Sequence, residues 1–359
     1  LMIRGIYTNG WGNNLERSST NFQFGSTDFT QFTKNLNFVA ELKTKISNNL
    51  NNQFSVNYIN VHEYRTFAQP LAPFVDIDNG RIWAGTWREA SIYNMKQRTF
   101  EISNNLTYTK GVNKFTLGTH NEIYDLTYGF INSWNGRWEY SRGVSSFLNN
   151  NPSRIRGAFS RDITKMPNDR DYIYNNPPNS YKVYLLSAYL QDEIAITKRF
   201  KVSPGFRIDY SRVGNQPGID SSLNITTRST LTTAPTYSST PFMQLQNNYL
   251  GKASISPRLG FYADVKGNGK MIIRGGTGIF LGRVPFAWMG YGYTLNGNTY
   301  GNIDWNGIST TTNVPLVINP LGLKDTVTKY GGASRSATRE LDIVDNNFKL
   351  PRVWRSNLA

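Results

Sequence analysis

Apolar and polar side chains alternate along much of the chain with a period of two, the spacing at which neighbours in an extended strand point to opposite faces. In residues 199–211, RFKVSPGFRIDYS, one face takes Phe200, Val202, Pro204, Phe206, Ile208 and Tyr210. The other takes Arg199, Lys201, Ser203, Gly205, Arg207, Asp209 and Ser211. In residues 98–109, Phe100, Ile102, Leu106 and Tyr108 alternate with Glu101, Ser103, Asn105, Thr107 and Thr109, and Asn104 is the exception on the apolar side. Residues 35–46 and 255–265 repeat the scheme. Strands are predicted at roughly 1–8, 35–46, 53–64, 97–109, 114–130, 181–196, 199–211, 254–266, 270–282 and 350–359. Pro204 and Pro257 lack the amide donor that a strand ladder uses, so each is expected at an edge, a strand end or a bulge near a rim.

The connections carry a second pattern. Residues 47–52, 110–113, 197–198 and 267–269 are short and turn-like, whereas 9–34, 65–96, 131–180, 212–253 and 283–349 are long, and the two kinds alternate. Hairpins that are tight at one end only, with long loops at the other, are the pattern of outer-membrane barrels. A soluble sandwich turns every 8–12 residues or so, and unstructured loops of this length are rare inside compact soluble domains. The fold class predicted is all-β, a transmembrane antiparallel β-barrel of which about ten strands are present. Residues 145–156 (SSFLNNNPSRIR), 212–242, rich in Ser, Thr, Asn and Pro, and 290–312, which interleave Gly, Tyr, Asn and Thr, predict hydrogen-bonding loop surfaces rather than a packed core. Tyr58, Tyr64, Tyr108, Phe115, Tyr128, Phe130, Phe200 and Tyr210 fall near strand ends. They suit an interfacial aromatic girdle as well as they suit ordinary strand propensity.

Composition agrees with strands rather than helices as the spanning element. The 359 residues include 21 Tyr, 20 Phe and 8 Trp, yet mean hydropathy is −0.47, as alternation of lipid-facing and lumen-facing residues would produce. No run approaches the ~20 apolar residues of a membrane helix. There is no cysteine, which excludes disulfides and thiolate metal sites. The net charge of +15 invites comparison with nucleic-acid binders. However, many of the charges sit singly at turns, as at Lys110, Lys114, Lys198, Arg199 and Lys270, which suits solvated rims and anionic outer-membrane lipid or lipopolysaccharide rather than nucleic acid. No signal peptide is visible. Both ends read as strand interiors, so the sequence is expected to be a piece of a longer protein.

Chemistry-bearing patterns are sparse. Gly275-Gly276-Thr277-Gly278 lacks the Lys-Ser/Thr of a phosphate loop and reads as a strand relieved for close packing. The two histidines, His62 and His120, have no metal-binding spacing, and no nucleophile–base set is legible. No catalytic residue, cofactor or metal is predicted, and the protein is expected not to be an enzyme. The best enzymatic alternative is a ten-stranded outer-membrane protease. A soluble glycan-binding β-sandwich is a third reading. Arg207, Asp209, Arg258 and Asp264 fall on polar strand faces and are candidate lumenal contacts. Arg283, Phe286 and Trp288 open the longest loop and are a candidate binding surface or a folded hinge.

Several segments bear a resemblance. Tyr189-Leu190-Gln191-Asp192, followed after a turn by Gly205-Phe206-Arg207-Ile208-Asp209, resembles the Y-x-Q-D and G-x-R-x-D strand pair of TonB-dependent receptors. SPRLGFY at 256–262 resembles their P-R-x-G strand. VAELKTKI (39–46), LGTHNEIYDL (117–126), RGGTGIFLGRVPFAW (274–288) and the terminal PRVWRSNLA are similar to the Oar-like subgroup of Bacteroidota. The resemblance covers most of the chain. It implies a 22-stranded barrel in the bacterial outer membrane, with a plug domain and a TonB box that this sequence does not contain. It also implies TonB as partner and energised uptake of a ligand held by extracellular loops. The alternative is a structural barrel subunit of a surface complex, with lipoproteins over its loops.

Overall fold

A computed structural model describes residues 1–161, 163–164, 167, 169–177, 179–218, 250–332, 342, 344 and 348–359. In chain order the strands are β1 (Met2–Asn13), β2 (Phe22–Gln23), β3 (Phe29–Lys45), β4 (Leu50–Phe67), β5 (Phe74–Ile77), β6 (Ile82–Ala84), β7 (Ile92–Lys110) and β8 (Asn113–Ile131). They continue with β9 (Arg137–Tyr140), β10 (Arg154–Ser160), β11 (Ser180–Ala195), β12 (Phe200–Val213), β13 (Leu250–Asp264), β14 (Ile272–Leu281), β15 (Tyr300–Asn306) and β16 (Arg352–Leu358). The short α-helices among the described residues are α1 (Val144–Leu148), α2 (Arg170–Asn175), α3 (Phe286–Thr294) and α4 (Leu323–Lys329).

Ten strands form one antiparallel wall in the order β1-β3-β4-β7-β8-β11-β12-β13-β14-β16. They coincide one for one with the ten strands predicted from alternation. The main difference is length on the loop side. β3 starts at Phe29 rather than near 35, and β4 runs on to Phe67. The 19 residues of β7 span roughly 60 Å at ~3.3 Å per residue. Even tilted, that exceeds a hydrocarbon core of about 30 Å, so these strands stand out beyond the membrane. β1 and β16 are the two edges of the wall among the described residues.

The two faces differ as the alternation requires. Leu36, Phe38, Leu42, Phe54, Phe100, Leu117, Leu190, Phe206, Ile208 and Leu259 share one face and are all exposed. An apolar surface of this extent is foreign to a soluble protein and is what a lipid-facing wall presents. The opposite face is a hydrogen-bonded polar lattice. Gln53 donates to Glu41 at 2.7 Å, Ser55 meets Ser103 at 2.6 Å and Asn57 donates to Glu101 at 3.1 Å. Tyr108 and Phe115 oppose each other across a short turn on the exposed face, where a girdle residue belongs. Tyr128 and Phe130 do not belong to a girdle. They point inward and meet Tyr291 of α3 edge-on at 5.2 and 6.5 Å.

Neither proline forms a bulge. Pro204 stays in register with Leu259, and the ladder from β12 to β11 skips it, resuming at Ile194↔Val202 after Gln191↔Gly205. Pro257 pairs with Phe206, and the ladder from β13 to β14 starts one residue later at Arg258↔Gly278. The missing amides are thus placed where a ladder is interrupted or ends. The register shift between β12 and β13 lies instead at Ser211/Arg212. The glycine-rich run is strand β14. A Cβ on Gly275 would lie 2.7 Å from the Asn357 carbonyl oxygen and 2.8 Å from the Phe261 ring, so the close neighbours there belong to the adjacent strands.

The long loops correct the sequence-based expectation. They are not polar surface without a core. They build a second sheet in the order β15-β10-β9-β5-β6-β2, partly by pairing between distant segments, such as Arg154 with Asn306. Beneath it lies a core of Val75, Trp138, Tyr140, Ile155, Ile303, Trp305, Val314 and Val327. Ile92 and Ile131 of the wall pack with Ala158 and Tyr300 of this sheet, docking it onto the wall. Of the Ser/Thr/Asn-rich run at 212–242, residues 219–242 lie outside the described residues.

Trp138 is fully buried at the centre of the loop core. Trp138→Ala is expected to destabilise the loop sheet by about 3–5 kcal/mol, from lost transfer energy and the cavity left behind. Limited proteolysis should then cut within 132–179 while the wall strands stay protected; cleavage unchanged from wild type would contradict an independent loop core. A smaller effect attaches to Arg154, whose fork reaches Asp304 through Nε–Oδ1 at 2.7 Å and Nη2–Oδ2 at 2.6 Å and holds that carboxyl below its ordinary range. A depressed folded-state pKa stabilises above the unfolded value of ~3.9 and is lost as pH falls through the lower folded value. The pair is partly exposed, so its contribution is about 1 kcal/mol or less. The melting difference between wild type and Asp304→Asn should be present at neutral pH and absent in strong acid.

Candidate functional site

The segments singled out in the sequence meet in one place. Tyr189 lies over Gly118, where a Cβ would come within 2.3 Å of the tyrosine ring, and its hydroxyl bonds the Asn105 side chain. Tyr189 pairs with Arg207 across β11 and β12, and Arg207 pairs in turn with Ser256 of β13. Arg207 Nε donates to Asp209 at 2.6 Å. Gly205 opposes Arg258, and Arg258 opposes Gly278. Bare Gly278, where a Cβ would come 3.0 Å from Arg258 Cγ, leaves room for the Arg258 side chain, whose guanidinium lies 4.6 Å from the centroid of the Phe280 ring. Each polar residue of the Y-x-Q-D, G-x-R-x-D and P-R-x-G pattern named here is therefore an inward-facing neighbour of the next.

Glu122 anchors the far side of this patch. Its side chain is almost fully buried, and it accepts from Tyr124 at 2.5 Å and from His120 Nε2 at 2.7 Å. It also accepts from Arg283, which in addition reaches the Tyr124 hydroxyl at 3.3 Å. Arg283 lies two residues past β14, whereas Glu122 is on β8, four strands away in the wall. Four spacings of ~4.8 Å make roughly 19 Å along the sheet, too far for two side chains to bridge over a flat surface. The wall therefore bends around this face. His120, Glu122, Arg207, Asp209, Arg258 and Arg283 line a hollow of about 290 Å³.

The candidate residues separate accordingly. Arg207, Asp209 and Arg258 line the hollow, while Asp264 does not. Its carboxylate caps a short turn, accepting from the amides of Gly267 at 2.8 Å and Gly269 at 3.0 Å. Of the loop trio, Phe286 is buried against Tyr124 at 4.9 Å and Arg283 is tied to Glu122, whereas Trp288 is 70% exposed. Of the two aromatic residues in this segment, Phe286 is turned inward and Trp288 outward. α3 lies along the inner face of β8 and β11, with Tyr293 stacked on Tyr181 at 4.6 Å and 10°. The sequence singled out neither Glu122 nor Tyr124. The alternation of 117–126 is too weak to assign their face. Neither histidine has metal company: His62 bonds Asn94 at 2.9 Å, and no cluster of three potential ligands exists among the described residues.

A lipid-facing outer surface, a polar inner surface and connections long at one end only define the wall of an outer-membrane β-barrel, and the comparisons with known proteins agree. Residues 4–359 match the family described as outer membrane beta barrel domain, and the chain belongs to that family in the bacterial outer membrane. No curated protein matches its sequence. Among solved structures, the outer membrane transporter YddB from Escherichia coli is 13% identical with a TM-score of 0.44 over 80% of this chain. The copper transporter OprC is 12% identical with a TM-score of 0.35 over 73%. A chain of the FpvAI–pyocin S2 complex is 12% identical with a TM-score of 0.32 over 80%. The matched region spans 30%, 31% and 40% of those three chains.

Replacing Glu122 by the isosteric Gln removes the charge that holds Arg283. An unmade charge-assisted bond costs about 1–2 kcal/mol, a factor of ~5–30 in the population of a detached loop start. Tryptic cleavage after Arg283 is expected to accelerate by that order in Glu122→Gln, with strand content by circular dichroism unchanged. A cleavage rate equal to wild type would show that the loop is held elsewhere.

Proposed function

We propose that this chain is part of the barrel of a TonB-dependent receptor, which binds its ligand at the extracellular loops and takes it up with energy delivered through TonB. The observation that carries the proposal is the convergence of the receptor-like sequence patterns on a single inward-facing charged patch, to which the start of the longest loop is tied. A patch of this kind suits a plug domain held by ion pairs and water within the lumen. Membership of the outer-membrane barrel family supports the same reading. In it, the edges β1 and β16 pair with further strands of a 22-stranded barrel, because an edge left open in lipid strands a row of backbone groups without partners. The structured loop sheet over the wall supplies the ligand surface. The protein performs no covalent chemistry, and Arg207, Asp209 and Arg258 act as electrostatic contacts.

The test is direct and needs no ligand. Full-length protein extracted in mild detergent is expected to be captured by the immobilised periplasmic domain of TonB. Capture should be lost when the segment preceding the plug is deleted. Absence of capture, or capture indifferent to that deletion, would overturn the proposal and favour a structural subunit.

A further inference from the structure

The lipid-facing surface of the wall carries charge at its two borders, and the borders differ. On β7 the outward apolar run extends from Phe100 to Tyr108, with Arg98 beyond it on the loop side and Lys110 on the turn side. That run spans roughly 26 Å at ~3.3 Å per residue. At a strand tilt of ~40° it stands about 20 Å upright, close to the ~25 Å apolar band of an outer-membrane barrel. Arg98 and Lys110 therefore lie at opposite surfaces of the membrane.

The register carries the loop-side border across neighbouring strands. Lys34 of β3 opposes His62 of β4, and His62 opposes Lys96 of β7. One row nearer the membrane, Arg98 opposes Asp125 of β8, and Asp125 opposes Lys182 of β11. Directly opposed residues share a face, here the face of Leu36 and Phe100. Arg98 and Lys182 are exposed, and Lys34 Nζ lies 5.4 Å from the centroid of the Tyr64 ring. Among the described residues, none of these four cations has an ion pair or a side-chain hydrogen bond, and Asp125 closes no ion pair with either neighbour. The turn-side border is different. From β3 to β11, its outward-facing strand charges among the described residues are Lys110 and Asp192, of opposite sign.

A basic border on one side alone selects a leaflet. Short turns are periplasmic and long loops extracellular, so the four cations lie among the head groups of the outer leaflet. Lys and Arg at a membrane surface attract anionic head groups. Strand spacings of ~4.8 Å place Lys34 and Lys96 roughly 10 Å apart, and Arg98 and Lys182 likewise, in rows about 7 Å apart. That area is wide enough for two phosphates. It is also bounded above. His62 Nε2 meets Asn94 Oδ1 at 2.9 Å, and Asn94 donates to the Tyr174 carbonyl at 2.8 Å, which holds α2 against the outer face just past the upper row. The acids of α2 are engaged: Asp171 pairs with Arg170 at 2.6 Å and Asp169 caps the helix at the Tyr172 amide.

We infer that this loop-side border binds the phosphates of a diphosphorylated glycolipid of the lipopolysaccharide class, with Lys34 and Lys96 facing one phosphate and Arg98 and Lys182 the other. The inference goes beyond ligand uptake and holds whether or not the barrel is coupled to TonB. The experiment is titration of full-length protein, washed free of lipid in mild detergent, with diphosphoryl lipid A, dephosphorylated lipid A, phosphatidylglycerol and inorganic phosphate. Diphosphoryl lipid A is expected to bind tightest, phosphatidylglycerol more weakly, and the other two not at the same concentration. The double variant Lys96→Gln/Arg98→Gln should weaken diphosphoryl lipid A about tenfold or more. Lys96→Arg should retain binding, and Lys110→Gln, at the opposite surface, should leave it unchanged. Each change replaces one surface polar side chain by another, so melting temperatures should match the parent. Equal binding by the double variant, the same loss in Lys110→Gln, or binding of dephosphorylated lipid A, phosphatidylglycerol or inorganic phosphate as tight as that of diphosphoryl lipid A would each overturn the inference.

Discussion

A bilayer core offers no water to an unpaired amide or carbonyl, and the wall is organised by that constraint. Its strands pair through nearly unbroken antiparallel ladders, and the two prolines that cannot donate sit where a ladder is interrupted or ends. The same constraint fixes the side chains. With the backbone satisfied within the sheet, a strand can give one face to lipid and keep the other polar. The inward polar pairs Gln53–Glu41, Asn57–Glu101 and Arg207–Asp209 are the result. Past the membrane the constraint lapses. There the strands run on, the loops take up a second sheet, and hydrophobic burial replaces lipid contact as the organising force.

The inner face is held together by small residues as much as by charges. Tyr189 can lie flat because position 118 has no side chain, and Arg258 can lie against Phe280 because position 278 has none. Each glycine leaves a depression, and each long polar side chain fills one. Patterns that read as separate strand signatures along the sequence are, in space, parts of a single interlocked surface. Asp264 shares their parity but not their company. It lies at the end of β13, where turn amides claim its carboxylate first.

The legibility of the sequence follows the range of the interactions. The ten wall strands were readable because each faces two solvents of opposite character, so local alternation encodes them. The loop sheet was not. β9 and β5 are four residues each, they pair in parallel, and β10 finds its partner almost 150 residues away, so no local pattern announces them. Tyr, Trp and Ile scattered among Asn, Ser and Gly read as a polar loop until Trp138, Tyr140, Ile155 and Trp305 are seen to share one core. Arg207, Asp209 and Arg258 were legible from alternation together with resemblance. Glu122 was hidden because its own strand alternates poorly.

The tie between Arg283 and Glu122 has a mechanical side. It joins two points of a bent wall that lie four strands apart, and so acts as a chord drawn across an arc. If the wall opens, the chord must lengthen; if the wall closes, it slackens. One end of that chord is also the root of the segment that carries α3. The curvature of the wall and the seating of α3 are thus a single variable, and whatever fills the lumen and changes one must move the other.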